Sequence, residues 1–400
     1  MKRTCLSIVG IILTVFTSIA QPTPRDSSEF KARKLRFEEA NLVTSYYQQD
    51  GNHSAVTGGV GTEKLTDYSG ALDVKVSMYD RLNRKHSFDF ELGIDHYTSA
   101  SSDKINFHTI SSASYADTRF YPSLNWSREN EKKGSTIGAG ISFSKEFDYF
   151  SMGANIQFSQ KTKNRNGEFS AKIQAYIDRL KYITPIEFRP GSINNDEDDN
   201  YPSRSRNSFS SSFSWSQIVN QRFQMMFLAD FIYQRGYLGL PFHRVYFTDN
   251  SLHIENLPAS RWKIPLGIRA NYFIGDLVIL RGFYRFYHDD WDLNAHTAEL
   301  ESSIKVNSFF SVTPFYRYYK QSAARYFAPI NVHSAVDEYY TSNYDLSEFT
   351  SQFYGAGFRI APPKGLFGWK HFNMLELRYG HYTKNNGMHA DIISLHLKLK

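Results

Sequence analysis

The chain has 400 residues, 41% of them hydrophobic and 16% aromatic, with 46 basic residues against 40 acidic and one cysteine, Cys5. So small and dispersed a basic excess excludes a nucleic-acid-binding surface. The single thiol excludes a disulfide framework, a cysteine-rich metal site and a cysteine nucleophile in the body of the chain.

In chain order, Met1-Lys2-Arg3 precedes an apolar run from Leu6 to Phe16 and then Ser18-Ile19-Ala20. A basic start, an apolar stretch too short to span a bilayer and a small-x-small site are the marks of a secretory signal, expected over residues 1–20. Without Lys2 and Arg3 the balance is 46 − 2 = 44 basic to 40 acidic, or +4, and Cys5 is removed as well. Residues 21–38 read as a short periplasmic lead-in, and residues 39–400 as one domain.

That domain alternates apolar and polar residues along much of its length. In "KHSFDFELGIDHYTSASSD" (85–103), Phe88, Phe90, Leu92 and Ile94 are interleaved with Asp89, Glu91 and Asp95. The same pattern occupies 72–78, 137–143, 171–178, 264–271, 299–305 and 393–400. Period two over about ten residues marks strands long enough to cross a bilayer at a tilt. No segment has a convincing helical period.

Loop lengths separate a sandwich from a barrel. Short connections are expected near 81–84, 130–134, 163–168, 220–221, 275–276 and 307–308, and long polar ones at 50–66, 98–116, 183–206, 236–261 and 321–347. Short and long alternate, apart from short turns near Asp148 and Asp290 and a longer turn at 361–371. The predicted fold is all-β: a transmembrane antiparallel up-and-down β-barrel of about sixteen strands. Its short turns are expected on the periplasmic side and its long loops outside.

Several stretches carry a family resemblance: "SYYQQDGNHSAVTGGVGTEKLTD" (45–67), "ELGIDHYTSASSDKINFHTISSASYADTRFYPSLNW" (91–126), "PFHRVYFTD" (241–249), "YRFYHDDW" (284–291), "RYFAP" (325–329) and "LELRYGHY" (375–382). Together they resemble an uncharacterised "domain of unknown function" family of Bacteroidetes outer-membrane β-barrel proteins. The resemblance implies location and architecture but no chemistry, and a gene neighbourhood that includes a small lipoprotein, a thioredoxin-like protein and a flavin transferase. The ending Leu-Lys-Leu-Lys departs from the aromatic last residue usual for such barrels, so assembly is expected to rest on the apolar ladder Ile393 to Leu399.

If the apolar set faces lipid, the alternate set faces inward. Arg or Lys at mid-bilayer on the lipid face costs about 2–4 kcal/mol. The expected lumen residues are Asp73, Lys75, Asp89, Glu91, Asp95, Lys172, Asp178, Arg269, Arg281, Arg285, Glu299, Glu301, Lys305, Arg317, Glu376 and Arg378. Early strands supply mainly carboxylates and later ones many arginines. Two readings follow: a pore with a transverse field, or an ion-pair network stiffening a plugged barrel.

Asp95, Asp103 and Asp117, in and beside a serine-rich loop, offer oxygen ligands to calcium but form no recognised loop motif, so no metal is assigned. The bland reading is a loop whose hydroxyls cap its own turns. Gly58, Gly59 and Gly61 lack the spacing of a phosphate loop. The acidic run at 194–200 reads as solvated surface, or as a cation-mediated contact with lipopolysaccharide. His243 and Arg244 suggest a loop folded back into the barrel or a constriction contact.

No G-x-S-x-G or H-E-x-x-H occurs, so no enzyme activity and no cofactor are expected. The leading expectation is an outer-membrane channel for small polar solutes. The alternative is a closed structural or docking barrel serving envelope lipoproteins or an envelope redox system. Expected partners are outer-membrane lipid, lipopolysaccharide, the barrel-assembly machinery and a small lipoprotein, with no nucleic acid.

Overall fold

The computed structural model describes residues 34–98, 116–188 and 201–400. The first strands are β1 (Arg36–Asp50), β2 (Leu65–Tyr79), β3 (Lys85–Tyr97), β4 (Asp117–Asn130), β5 (Ser135–Lys145) and β6 (Tyr149–Lys161). Then come β7 (Gly167–Lys181), β8 (Ser203–Asn220), β9 (Phe223–Gly236), β10 (Arg244–Tyr246), β11 (Leu252–Ile254) and β12 (Ser260–Ile274). The last are β13 (Val278–Asp289), β14 (Asn294–Lys305), β15 (Phe310–Gln321), β16 (Phe349–Ile360), β17 (Phe372–Lys384) and β18 (His389–Leu399).

All but β10 and β11 close into one antiparallel barrel of sixteen strands, in ring order β1 to β9 and β12 to β18. β1 pairs with β18 from Ala40↔Leu399 to Asp50↔His389, and this seam completes the ring. Closure leaves no barrel strand with an unpaired edge, which the interior of a bilayer requires.

The turns at 80–84, 131–134, 162–166, 221–222, 275–277, 306–309 and 361–371 lie at one end, and the loop residues 51–64, 182–188, 237–259 and 322–348, with a short turn at 385–388, at the other. This is the expected sorting, with short turns at Asp148 and Asp290 on the long-loop side. Two details differ. β1 starts at Arg36, inside the stretch expected to precede the barrel. The connection at 236–261, expected to be plain loop, contains the hairpin β10–β11, turning at Asn250 with φ 64°. Its three-residue strands are too short to show period two.

Orientation follows from one contact. Arg378 Nη2 lies 2.5 Å from Glu301 Oε2, although β15 and β16 separate β17 from β14. Side chains diverge on a convex face, so this one is concave. The register carries its parity around the ring, leaving Ile156, Ile173 and Ile177 outside at 59%, 56% and 59% exposure. Phe90, Phe213, Phe227, Leu266, Leu300 and Leu377 extend this band of exposed apolar side chains. Such an area on a water-facing wall is untenable, and a lipid contact accounts for it.

Leu92→Arg and Ile94→Arg place a charge on the outer wall and are expected to cost about 2–4 kcal/mol near mid-bilayer. Both should reduce the yield of folded barrel in a heat-modifiability gel, while Glu91→Gln should not. Equal yields for the three variants would contradict the facing assignment.

Candidate functional site

The register places every lumen residue expected from the sequence on the Glu301 face. On β2 and β3, Lys75 lies 3.6 Å from Asp89. Asp73 accepts from Asn41 at 3.3 Å, Glu91 from Ser123 at 3.4 Å, and Asp95 from the Tyr121 hydroxyl at 2.9 Å. On β7, Asp178 accepts from the Tyr149 hydroxyl at 2.5 Å. Lys172 and Glu91, with Arg119, Tyr121, Asn125 and Asn155, line a recess of about 290 Å³ in the wall.

The other side of the ring is richer in guanidinium. Glu301 takes both Arg281 and Arg378 at 2.5 Å, and Glu299 takes Arg317 at 2.6 Å. Arg378 covers the Phe315 ring at 4.5 Å and Arg269 approaches Phe283 at 5.4 Å. Arg285 is opposite Thr297, Lys305 opposite Ser311, and Glu376 opposite Arg359.

The expected ligand set of Asp95, Asp103 and Asp117 lies only partly within the described residues. Asp103 lies outside the described residues, and Asp95 is engaged by Tyr121. The acidic oxygens that converge are those of Asp117, Glu146 and Asp148, within 4.8 Å of one another. Asp117 and Glu146 already have partners: Asp117 accepts the Phe147 N–H at 3.1 Å, and Glu146 the Tyr97 hydroxyl at 2.7 Å with Arg119 3.5 Å away. This group ties down the β5–β6 turn. The acidic run at 194–200 also lies outside the described residues.

The long loops lock together over the mouth. The loop after β1 and the loop between β9 and β12 are rooted at diametrically opposite points of the ring. Nevertheless Arg244, 5% exposed, donates from Nη1 to the Val56 carbonyl at 3.0 Å. Its Nε and Nη2 hold Glu187 of the β7–β8 connection at 3.2 and 2.9 Å. Val56, Ile183 and Phe242 form a small apolar core among the same three loops.

A second junction joins the β9–β12 and β15–β16 loops. Buried Glu255 accepts from Thr341 Oγ1 at 2.5 Å and from the Leu240 N–H at 2.7 Å, with His243 Nδ1 3.6 Å away. Asn256 and Tyr340 exchange backbone hydrogen bonds. Gly58 and Gly59, at φ 79° and 85°, let the first loop approach this layer: a Cβ on Gly59 would sit 2.7 Å from the Ser342 carbonyl. His53 stacks on Tyr344 at 3.8 Å.

Several site residues escape sequence reasoning. Asp289, 1% exposed, accepts from Arg261 Nε at 2.9 Å, the Tyr287 hydroxyl at 2.7 Å and the N–H groups of Trp291 and Leu293. It organises the turn within the motif "YRFYHDDW", whose repeated acid was the available signal. Glu255 had none, because Thr341 comes from another loop and Leu240 lies 15 residues back in its own.

Burial alone would raise the Glu255 carboxyl. His243 beside it, together with the Thr341 and Leu240 donors, brings it below its ordinary 4.5. A lowered carboxyl stabilises the folded cap above its ordinary value and loses that contribution as pH falls through the lowered one. Acidification through and below the ordinary carboxylate range is therefore expected to lower the exchange protection of the Leu240 and Thr341 amides, taken relative to the intrinsic rate at each pH. Glu255→Ala should do the same at neutral pH, at a local cost of about 1–3 kcal/mol. Exchange unchanged in both cases would remove Glu255 as the junction's anchor.

Among curated proteins, no sequence match is found. Of solved structures, a BenF-like porin from Pseudomonas fluorescens Pf-5 aligns at 9% identity and TM-score 0.41, over 90% of this chain and 98% of that one. OpdK from Pseudomonas aeruginosa, solved with vanillate, aligns at 6% identity and TM-score 0.40, over 90% and 97%. The ferric enterobactin receptor PfeA of Pseudomonas aeruginosa aligns at 12% identity and TM-score 0.46, over 86% of this chain and 53% of its own. A family model matches residues 95–390, most of the chain. The chain belongs to the family described as protein of unknown function (DUF3570).

Proposed function

We propose that this protein is an outer-membrane channel for small polar solutes, with the long loops outside forming a cap that restricts entry. The apolar outer band supports a lipid environment, with lipopolysaccharide around the long-loop rim and the short turns toward the periplasm. Insertion is then work for the barrel-assembly machinery.

One observation carries the transport reading. Several charged side chains of the inner wall stay open to water: Arg281 and Arg317 are 45% and 46% exposed, Lys75 and Asp89 34% and 33%. A plug packed into the lumen would cover them, and a barrel closed for docking has no need of them. Sixteen strands enclose an aqueous passage when nothing fills it. The cap crosses the mouth through Arg244 and Glu255, so it sets an upper size for what enters.

Reconstituted in planar bilayers, the protein should give discrete conductance steps. Arg244→Ala and Glu255→Ala each untie one loop junction and are expected to enlarge the steps or lengthen the open times. A well-folded barrel that stays silent, with the cap variants equally silent, would overturn the channel reading. Co-purification of a small lipoprotein with such a silent barrel would point to docking.

A further inference from the structure

The charges of the lumen are segregated across its width. β2 and β3 direct Asp67, Asp73, Asp89, Glu91 and Asp95 inward, with Lys75 and Lys85 as the cations among them, Lys85 at the short-turn end beside Glu38. Eight places round the ring, β12 stands opposite β2 and β13 opposite β3. These two strands direct Arg261, Lys263, Arg269, Arg281 and Arg285 inward, with Asp289 as the acid among them. The two walls carry net charge of opposite sign. Asp73, Asp89, Arg269 and Arg281 all lie in the halves of their strands nearer the short turns, so the opposition holds at one level of the barrel.

Local pairing, as in Lys75 with Asp89 and Arg261 with Asp289, cancels only part of this arrangement. Asp73 and Glu91 have neutral partners, Asn41 and Ser123. Among the described residues, Arg269 and Arg285 make no ion pair, while Arg281 shares Glu301 with Arg378. On one side between the two poles, β5 and β6 present mainly serines, glycines, Asn155 and Gln157, with Lys161 at the short-turn end; on the other, β14 to β17 carry both signs, in Glu299, Glu301, Arg317, Glu376 and Arg378. A small neutral solute feels little orienting force there. A singly charged ion is drawn to one wall and repelled by the other. A molecule with both charges satisfies both walls at once.

We propose that the lumen selects small zwitterionic solutes, of the amino-acid and short-peptide class, over neutral solutes of similar size. The cationic end travels along β2–β3 and the anionic end along β12–β13. This selectivity rests on the channel reading above and adds the class of solute.

The full-length barrel in liposomes tests it by osmotic swelling, with glycylglycine as the zwitterion and N-acetylglycinamide as a neutral solute of near-equal size. Glycylglycine is expected to enter about two- to fivefold faster, the ratio to which one exposed charge interaction corresponds. The ratio should fall toward one in about 1 M salt, where charges are screened within about 3 Å. Arg269→Gln/Arg285→Gln on one wall, and independently Asp73→Asn/Glu91→Gln on the other, should bring the ratio toward one while leaving the N-acetylglycinamide rate unchanged. That unchanged rate shows that each variant is still a folded pore. Equal entry of both solutes into wild-type liposomes, or a ratio untouched by both double variants, would overturn the selectivity alone. Exclusion of both solutes would overturn the channel reading and the selectivity with it.

Discussion

Side-chain alternation on a sheet without edges is the constraint on which the rest depends. A strand can present opposite chemistry on its two faces only if its register stays fixed, because a slip of one residue exchanges them. Here a single parity runs unbroken around all sixteen strands and through the β1–β18 seam. The irregularities in register fall at Phe37/Glu39, Ile218/Asn220 and Phe372/Met374, each at the short-turn end of its strand. The long middle stretches, where an inverted residue would be most costly, are continuous.

Magnitudes separate the two readings of the lumen charges. Ion pairs as exposed as Lys75–Asp89 contribute about 0–1 kcal/mol, too little to account for so many charges as struts. The cap is built differently. Arg244 and Glu255 are almost fully covered, and each has several partners, as burial of a charge demands. Water-exposed charge in the barrel and covered charge at the mouth suit a wet passage under an ordered gate.

The barrel was legible in the sequence because period two is a local property. Ile173 and Lys172 reveal opposite faces with no knowledge of their neighbours, and the register then carries Lys172 inward. The long connections were legible only by position. Arg244 meets Val56 at a separation of 188 residues and Glu255 meets Thr341 at 86, distances over which no spacing rule operates. The same limit explains Asp117, whose acidic neighbours among the described residues, Glu146 and Asp148, come from the β5–β6 turn. The opposition of β2–β3 to β12–β13 required the ring order as well as the facing.

Because the only cysteine is Cys5, single cysteines placed along β3 give a direct reading of the two environments. Asp89→Cys, Phe90→Cys, Glu91→Cys and Leu92→Cys, reconstituted in liposomes and exposed to a charged, membrane-impermeant thiol reagent, sample successive residues. Labelling at 89 and 91 with protection at 90 and 92 is the result that a wet interior and a lipid-bathed exterior predict. Uniform labelling, or the opposite alternation, would contradict it.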